Sequence, residues 1–190
     1  FPTAFVNPNV TLNPTSTVTY NSNLAQTISG VAAYGNLTLA ATGAVTKTAA
    51  GNLVIAGVLN NGVNNILADN GNTITVSGNL INIGIHTGTG RIILAGGLAQ
   101  TISGTGSVTN FEVSKSANTA SLSNAFTING DITLTTGGFS LNGQTLTSGG
   151  NINIASGSTF TVNSSAILKV GNGKIITNAG TFLFSGAAGT

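Results

Sequence analysis

Cysteine, methionine and tryptophan are missing from this chain, and charge is nearly so: 5 Lys and Arg face 3 Asp and Glu in 190 residues. Without cysteine there is no disulfide and no thiolate metal site, so stability must come from packing and backbone hydrogen bonds. Charged residues make up 4% of the chain, against about 25% in an ordinary soluble domain. The surface therefore has to be built from Asn, Thr, Ser and Gly. The pI of about 9.3 reflects that scarcity. Lys47, Arg91, Lys115, Lys169 and Lys174 are scattered, so they form no basic patch and argue against a nucleic-acid partner. No apolar run approaches the roughly 20 residues of a membrane-spanning helix, and none has the charged flank of a signal peptide. A chain that starts at Phe1 and holds no Met reads as a mature exported product or an excised segment, which places it outside the cell or on the cell surface. Proline occurs only at Pro2, Pro8 and Pro14. Because proline withholds ladder donors, residues 1–14 are expected to form an extended N-terminal arm, with Phe1, Phe5, Val6 and Val10 as its apolar contacts.

What is present is repetition. Leu24-Ala25-Gln26-Thr27-Ile28-Ser29-Gly30 returns unchanged as Leu98-Ala99-Gln100-Thr101-Ile102-Ser103-Gly104, 74 positions later. The match continues through Asn36-Leu37-Thr38-Leu39 onto Asn110-Phe111-Glu112-Val113. With small slips it also carries Leu53-Val54-Ile55 onto Phe126-Thr127-Ile128, and Asn72-Thr73-Ile74-Thr75 onto Gln144-Thr145-Leu146-Thr147. A repeated unit that cannot bury its own apolar face must stack on its neighbours, which makes a solenoid. Short runs of period-two alternation, each bounded by Gly, Asn or Ser, supply the strands. In the C-terminal half they recur about every seven residues, the beat of three short strands per coil of roughly 20 residues.

Residues 15–190 are accordingly expected to form an all-β, single-stranded, right-handed parallel β-helix of about nine coils, on the order of 40 Å long. Apolar strand residues point inward and Thr, Ser or Asn outward. Phe111, Phe126, Phe139, Phe160, Phe182 and Phe184 fill the core. Asn70-Gly71, Asn129-Gly130, Asn142-Gly143 and Gly149-Gly150 supply corners that tolerate positive φ, and Asn side chains stack as amide ladders between coils.

No constellation in the sequence carries chemistry. Asp69, Glu112 and Asp131 are far apart, and only coil stacking could bring two together as a glycosidase-type pair; they read as surface or turn charges. His86, the only histidine, reads as a surface residue in the glycine-rich turn 84–90, which lacks the Lys and the following helix of a phosphate-binding loop. Neither a metal nor a cofactor is expected. The Thr-x-Thr triplets at 17–19, 73–75, 133–135, 145–147 and 159–161 would suit an ice-binding surface if they stacked on one face, but their spacing is uneven.

The run Thr19-Tyr20-Asn21-Ser22-Asn23-Leu24-Ala25-Gln26-Thr27-Ile28-Ser29-Gly30, followed by Tyr34-Gly35-Asn36-Leu37-Thr38-Leu39 and Gly51-Asn52-Leu53-Val54-Ile55-Ala56-Gly57, resembles the β-solenoid repeats of large secreted bacterial surface proteins. These are adhesin-like, in the style of filamentous haemagglutinins and autotransporter passengers. The resemblance implies a scaffold at the cell surface and no enzymatic activity. An open solenoid exposes unpaired strand edges and apolar core at its ends, and the sequence shows no amphipathic cap. Phe182, Leu183 and Phe184 are therefore expected, with the N-terminal arm, to join copies of the chain head to tail in a filament. Surface glycans or other cells are further partners to consider. The rival expectations are a stalk or adhesin segment of a larger surface protein, an ice-binding protein, and a carbohydrate-active β-helix enzyme.

Overall fold

A computed structural model of the chain describes residues 12–185. Those residues form 23 strands and no helix. Every strand pairing is parallel, and residues stacked in register lie 18 to 24 positions apart. The molecule is thus a parallel β-solenoid with three strands per coil. An eight-stranded sheet contributes one strand to each turn, which gives about eight turns. The expectation of about nine coils is one more than the structure has, although a last strand, Thr181–Ser185, begins a further turn.

The three faces are easily traced. The first carries Thr17–Tyr20, Asn36–Leu39, Leu59–Asn61, Leu80–Asn82 and Gln100–Ser103 in its lower part, and ends with Ser158–Asn163 and Thr181–Ser185. The second is the eight-stranded sheet, from Gln26–Ile28 to Ile167–Val170. The third runs from Ala33–Tyr34 through Leu53–Ile55, Thr73–Val76 and Arg91–Gly96 to Ile176–Asn178. Two long strands, Asn110–Leu122 and Ile132–Ser140, pass through the corner from third face to first and fuse those faces into one 15-stranded sheet. Their pairing slips between Val113 and Thr119 as it rounds that corner.

Alternation explains the core. Thr17–Tyr20 alternates exposed and buried residues, and Phe126–Ile128 buries Phe126 and Ile128 around Thr127. Inward residues stack on their own kind: Leu37, Leu59, Leu80, Ile102 and Leu122 form one continuous column. A second column is aromatic, with Phe139 edge-on to Phe160 at 5.3 Å and Phe160 stacked on Phe182 at 5.3 Å. Phe111, Phe126, Phe139 and Phe160 are core residues as expected, whereas Phe184 is 68% exposed. It lies on the last coil of the described residues, with no described strand stacked beyond it.

The 74-residue repeat is also explained. Gln26–Ile28 lies on the second face and Gln100–Ser103 on the first; Asn36–Leu39 lies on the first and its counterpart, the start of Asn110–Leu122, on the third. Each matched pair is eleven strands apart when the two long strands are counted once on each face. Three coils contain nine strands, so the repeated unit overshoots them by two strands and moves every matched element to a different face while keeping its inward residues inward.

The corners correct one expectation. Asn70 and Gly71 adopt φ of 51° and 81°, and Asn142 and Gly143 adopt 49° and 78°, as a tight turn requires. Gly130 and Gly150 do not have positive φ. They are glycine for lack of room, since a Cβ at Gly130 would overlap the Asn110 side chain and one at Gly150 the Gly130 backbone.

Candidate functional site

Polar side chains hold the coils together in three arrangements. The first is a ladder at the corner leading into the third face. Asn110 Oδ1 accepts the N–H of Asp131 (3.2 Å), Asp131 Oδ1 accepts that of Asn151 (2.7 Å), and Asn151 Oδ1 accepts that of Ile175 (3.2 Å). Asp131 is therefore a rung in an asparagine ladder. Asp131→Asn keeps the accepting oxygen and is expected to leave stability nearly unchanged, while Asp131→Ala is expected to cost about 1 kcal/mol, read from urea unfolding of the two variants. A shorter ladder runs inside: Asn61 Nδ2 donates to Asn82 Oδ1 at 2.8 Å, and Asn82 Nδ2 to Ser107 O at 3.1 Å. Not every Asn points outward, then; Asn61, Asn65 and Asn82 are buried.

The second arrangement occurs once in each copy of the identical heptapeptide. Lys47 Nζ donates to Ser22 O (2.6 Å), Leu24 O (3.0 Å) and Gln26 Oε1 (2.7 Å). Lys115 Nζ donates to Gly96 O (3.3 Å), Leu98 O (2.7 Å) and Gln100 Oε1 (2.5 Å). The acceptors correspond one for one across the repeat. Both lysines are buried, and loss of water lowers the affinity of each amine for its proton. The carbonyls of Leu24 and Leu98 turn in toward the ammonium while their side chains stand out, 76% and 77% exposed. Each lysine comes from the coil that follows its heptapeptide: Lys47 stacks on Gln26, and Lys115 on Gly96. Sequence reading treats these lysines as scattered charges, and no fixed spacing marks them, because Lys47 follows Gln26 by 21 residues and Lys115 follows Gln100 by 15.

The third arrangement overturns two expectations. His86 and Asp69 are not surface charges, although Asp69 does hold the turn at Asn70-Gly71; both side chains are wholly buried, with His86 Nε2 3.1 Å from Asp69 Oδ2 in a contact too poorly aligned for a good hydrogen bond. His86 sits on the strand Ile85–Thr87, the middle of the segment expected to be a turn. The alternation that buries Leu67 beneath it turns its ring inward as well.

Glu112 pairs with Arg91 (Oε2 to Nη1, 2.8 Å) and accepts from Thr135 Oγ1 (3.2 Å) on the third face. A small depression of about 170 Å³ beside it is lined by Arg91, Asn110, Phe111, Asp131 and Thr133. Glu112 and Asp131 lie on successive coils, but each carboxylate is engaged by its own partners. The Thr-x-Thr triplets divide among all three faces, 17–19 and 159–161 on the first, 145–147 on the second, and 73–75 and 133–135 on the third, so they build no common row. No group of three or more metal-ligating side chains occurs among the described residues.

The C-terminal coil is open. A depression of about 740 Å³ is lined by Val162, Ala166, Ile167, Leu168, Val170, Ile176, Phe182 and Phe184, with Asn163, Ser164 and Ser165 at its rim. Ile175 is 61% exposed and Leu183 44%. Among the described residues, the strands of this coil, Ile167–Val170, Ile176–Asn178 and Thr181–Ser185, each pair on one side only. At the other end Val18, Tyr20, Ile28 and Tyr34 are buried, and Leu12 packs against the core. Of the residues expected to join copies, Phe182, Leu183 and Phe184 lie on the open coil, while Phe1, Phe5, Val6 and Val10 fall outside the described residues.

These features define a parallel β-solenoid whose coils are tied by asparagine ladders and caged lysines. Comparison with protein-family models, with curated proteins and with solved structures finds no match to this chain.

Proposed function

We propose that this chain is a non-enzymatic structural protein of the cell exterior, a subunit that polymerises head to tail through its open C-terminal coil. The observation that carries this is the combination there of apolar core in contact with water and three one-sided parallel strands, a surface that a further parallel strand or coil completes. The near absence of charge supports it, because few like charges oppose contact between copies. The bacterial surface-protein setting rests on the sequence resemblance alone. A second reading, a stalk or adhesin segment of a longer surface protein, draws on the same open C-terminal coil, which a following coil of one longer chain would complete equally well.

Sedimentation velocity over a range of concentrations, with electron microscopy of the same samples, decides between them. The filament reading expects concentration-dependent assembly into rods, abolished by Leu183→Lys with Phe184→Lys. A monomer at every concentration sinks it and favours the stalk.

A further inference from the structure

His86 is tied to three successive coils. Its Nδ1 accepts the backbone N–H of Thr109 (3.3 Å) from the coil above and lies 3.1 Å from the Thr109 hydroxyl. Its Nε2 faces Asp69 of the coil below. Asp69 Oδ1 in turn accepts the N–H groups of Gly71 (2.7 Å) and Gly90 (2.9 Å), so one carboxylate holds the turn of its own coil and the corner after His86. A backbone N–H can only donate, so Nδ1 is the bare nitrogen and the ring proton sits on Nε2, toward Asp69. The resting column is therefore built for a neutral imidazole.

We propose that the Asp69–His86–Thr109 column is an acid-sensitive latch, in which protonation of His86 at Nδ1 removes the acceptor for Thr109 and loosens the solenoid between these coils. A protonated Nδ1 can donate to the Thr109 hydroxyl 3.1 Å away, but it leaves the half-buried Thr109 N–H without its acceptor and sets that N–H against the new one. Burial pushes the His86 pKa down to about 4, against the opposing pull of the Asp69 carboxylate. Asp69 is the only titratable group facing the ring among the described residues. The strands stacked directly on it, Asn65–Ala68 and Ser107–Val108, carry none, and Arg91, next to Gly90, reaches outward to Glu112.

The sign follows from linkage. The unfolded chain takes up this proton near pH 6.5 and the folded chain resists it to about pH 4. Stability is therefore intact above about pH 6.5 and is lost as pH falls from there toward 4. The folding equilibrium constant is expected to drop by roughly two orders of magnitude across that window.

Urea unfolding of the whole chain between pH 7.5 and 4.5 tests this, beside His86→Gln, which can accept and donate without titrating. The latch predicts a fall in wild-type stability over this range and a much flatter profile in the variant. Equal slopes in the two proteins overturn it. Should the variant fail to fold, NMR titration of the wild type decides, because the single imidazole gives one set of ring signals. A ring still neutral at pH 5.5 supports the latch, and a midpoint at or above 6.5 overturns it.

Discussion

Replacing Lys115 with methionine is expected to destabilise the fold by about 3 kcal/mol, more than an ordinary surface lysine could. The methionine keeps most of the stem's packing but strips the donor from Gly96 O, Leu98 O and Gln100 Oε1 at once. Each orphaned buried acceptor costs on the order of 1–3 kcal/mol, and the desolvation cost of the lost ammonium is recovered in part, so the net is less than the sum. Gln100 itself is held from below, its amide donating to Val76 O and Gly78 O, so the loss is felt through three coils. Lys47→Met should behave alike. Urea unfolding measures the effect, and a change under about 0.5 kcal/mol would place these lysines with unremarkable surface substitutions. Lys115→Ala adds a sharper check, since it leaves a carbonyl-lined hole into which methylammonium fits. Partial recovery of stability in methylammonium chloride, beyond that in sodium chloride, identifies a caged cation instead of a packing stem.

Phe139→Ala is expected to cost about 3–5 kcal/mol. The ring is wholly buried and meets Phe111 at 6.0 Å and Phe160 at 5.3 Å, so the cavity opens in the middle of the aromatic column. Parallel coils stacked in register cannot close it without shifting every strand above. Truncation of Phe184 is the natural control. That side chain meets Phe182 at 4.9 Å but is largely exposed, so its loss should change the stability of a single chain by about 1 kcal/mol or less. Chemical denaturation at low protein concentration separates the two substitutions. Equal costs would mean that the last coil is as well packed as the middle ones.

The strands were legible because their signal is local. Period-two alternation at Leu37–Leu39, Ile152–Ile154 or Phe160–Val162 depends on no partner, and inward residues could be assigned from it directly. The asparagine ladders are legible only in part: one amide-to-amide rung, Asn61 to Asn82, matches the expectation, whereas the longer ladder sets side-chain oxygens on backbone N–H groups of the next coil. Burial of polar groups was a different matter. Whether His86 meets water or Asp69 depends on which residue of the previous coil lies beneath it, and coils here vary from 18 to 24 residues. A slip of one residue would turn His86 outward, so alternation alone, without the register, left it on the surface. Lys47 and Lys115 are hidden because a lone lysine is normally solvated, and their spacing from the repeated Gln differs, so only the folded stack brings both to equivalent acceptors. Asp131 is exposed, as a surface charge should be, though its use as a ladder rung depends on the three-dimensional stack.

The eleven-strand unit has a consequence for any longer chain assembled from it. Eleven steps of one third of a revolution end two thirds of a revolution past three whole turns, so inserting or deleting one unit leaves the cylinder continuous yet swings everything beyond it onto a new side. Whatever a solenoid of this type displays on its flank, such as the protruding leucine that accompanies each heptapeptide, would thus spiral around the rod and return to its starting azimuth only after three units.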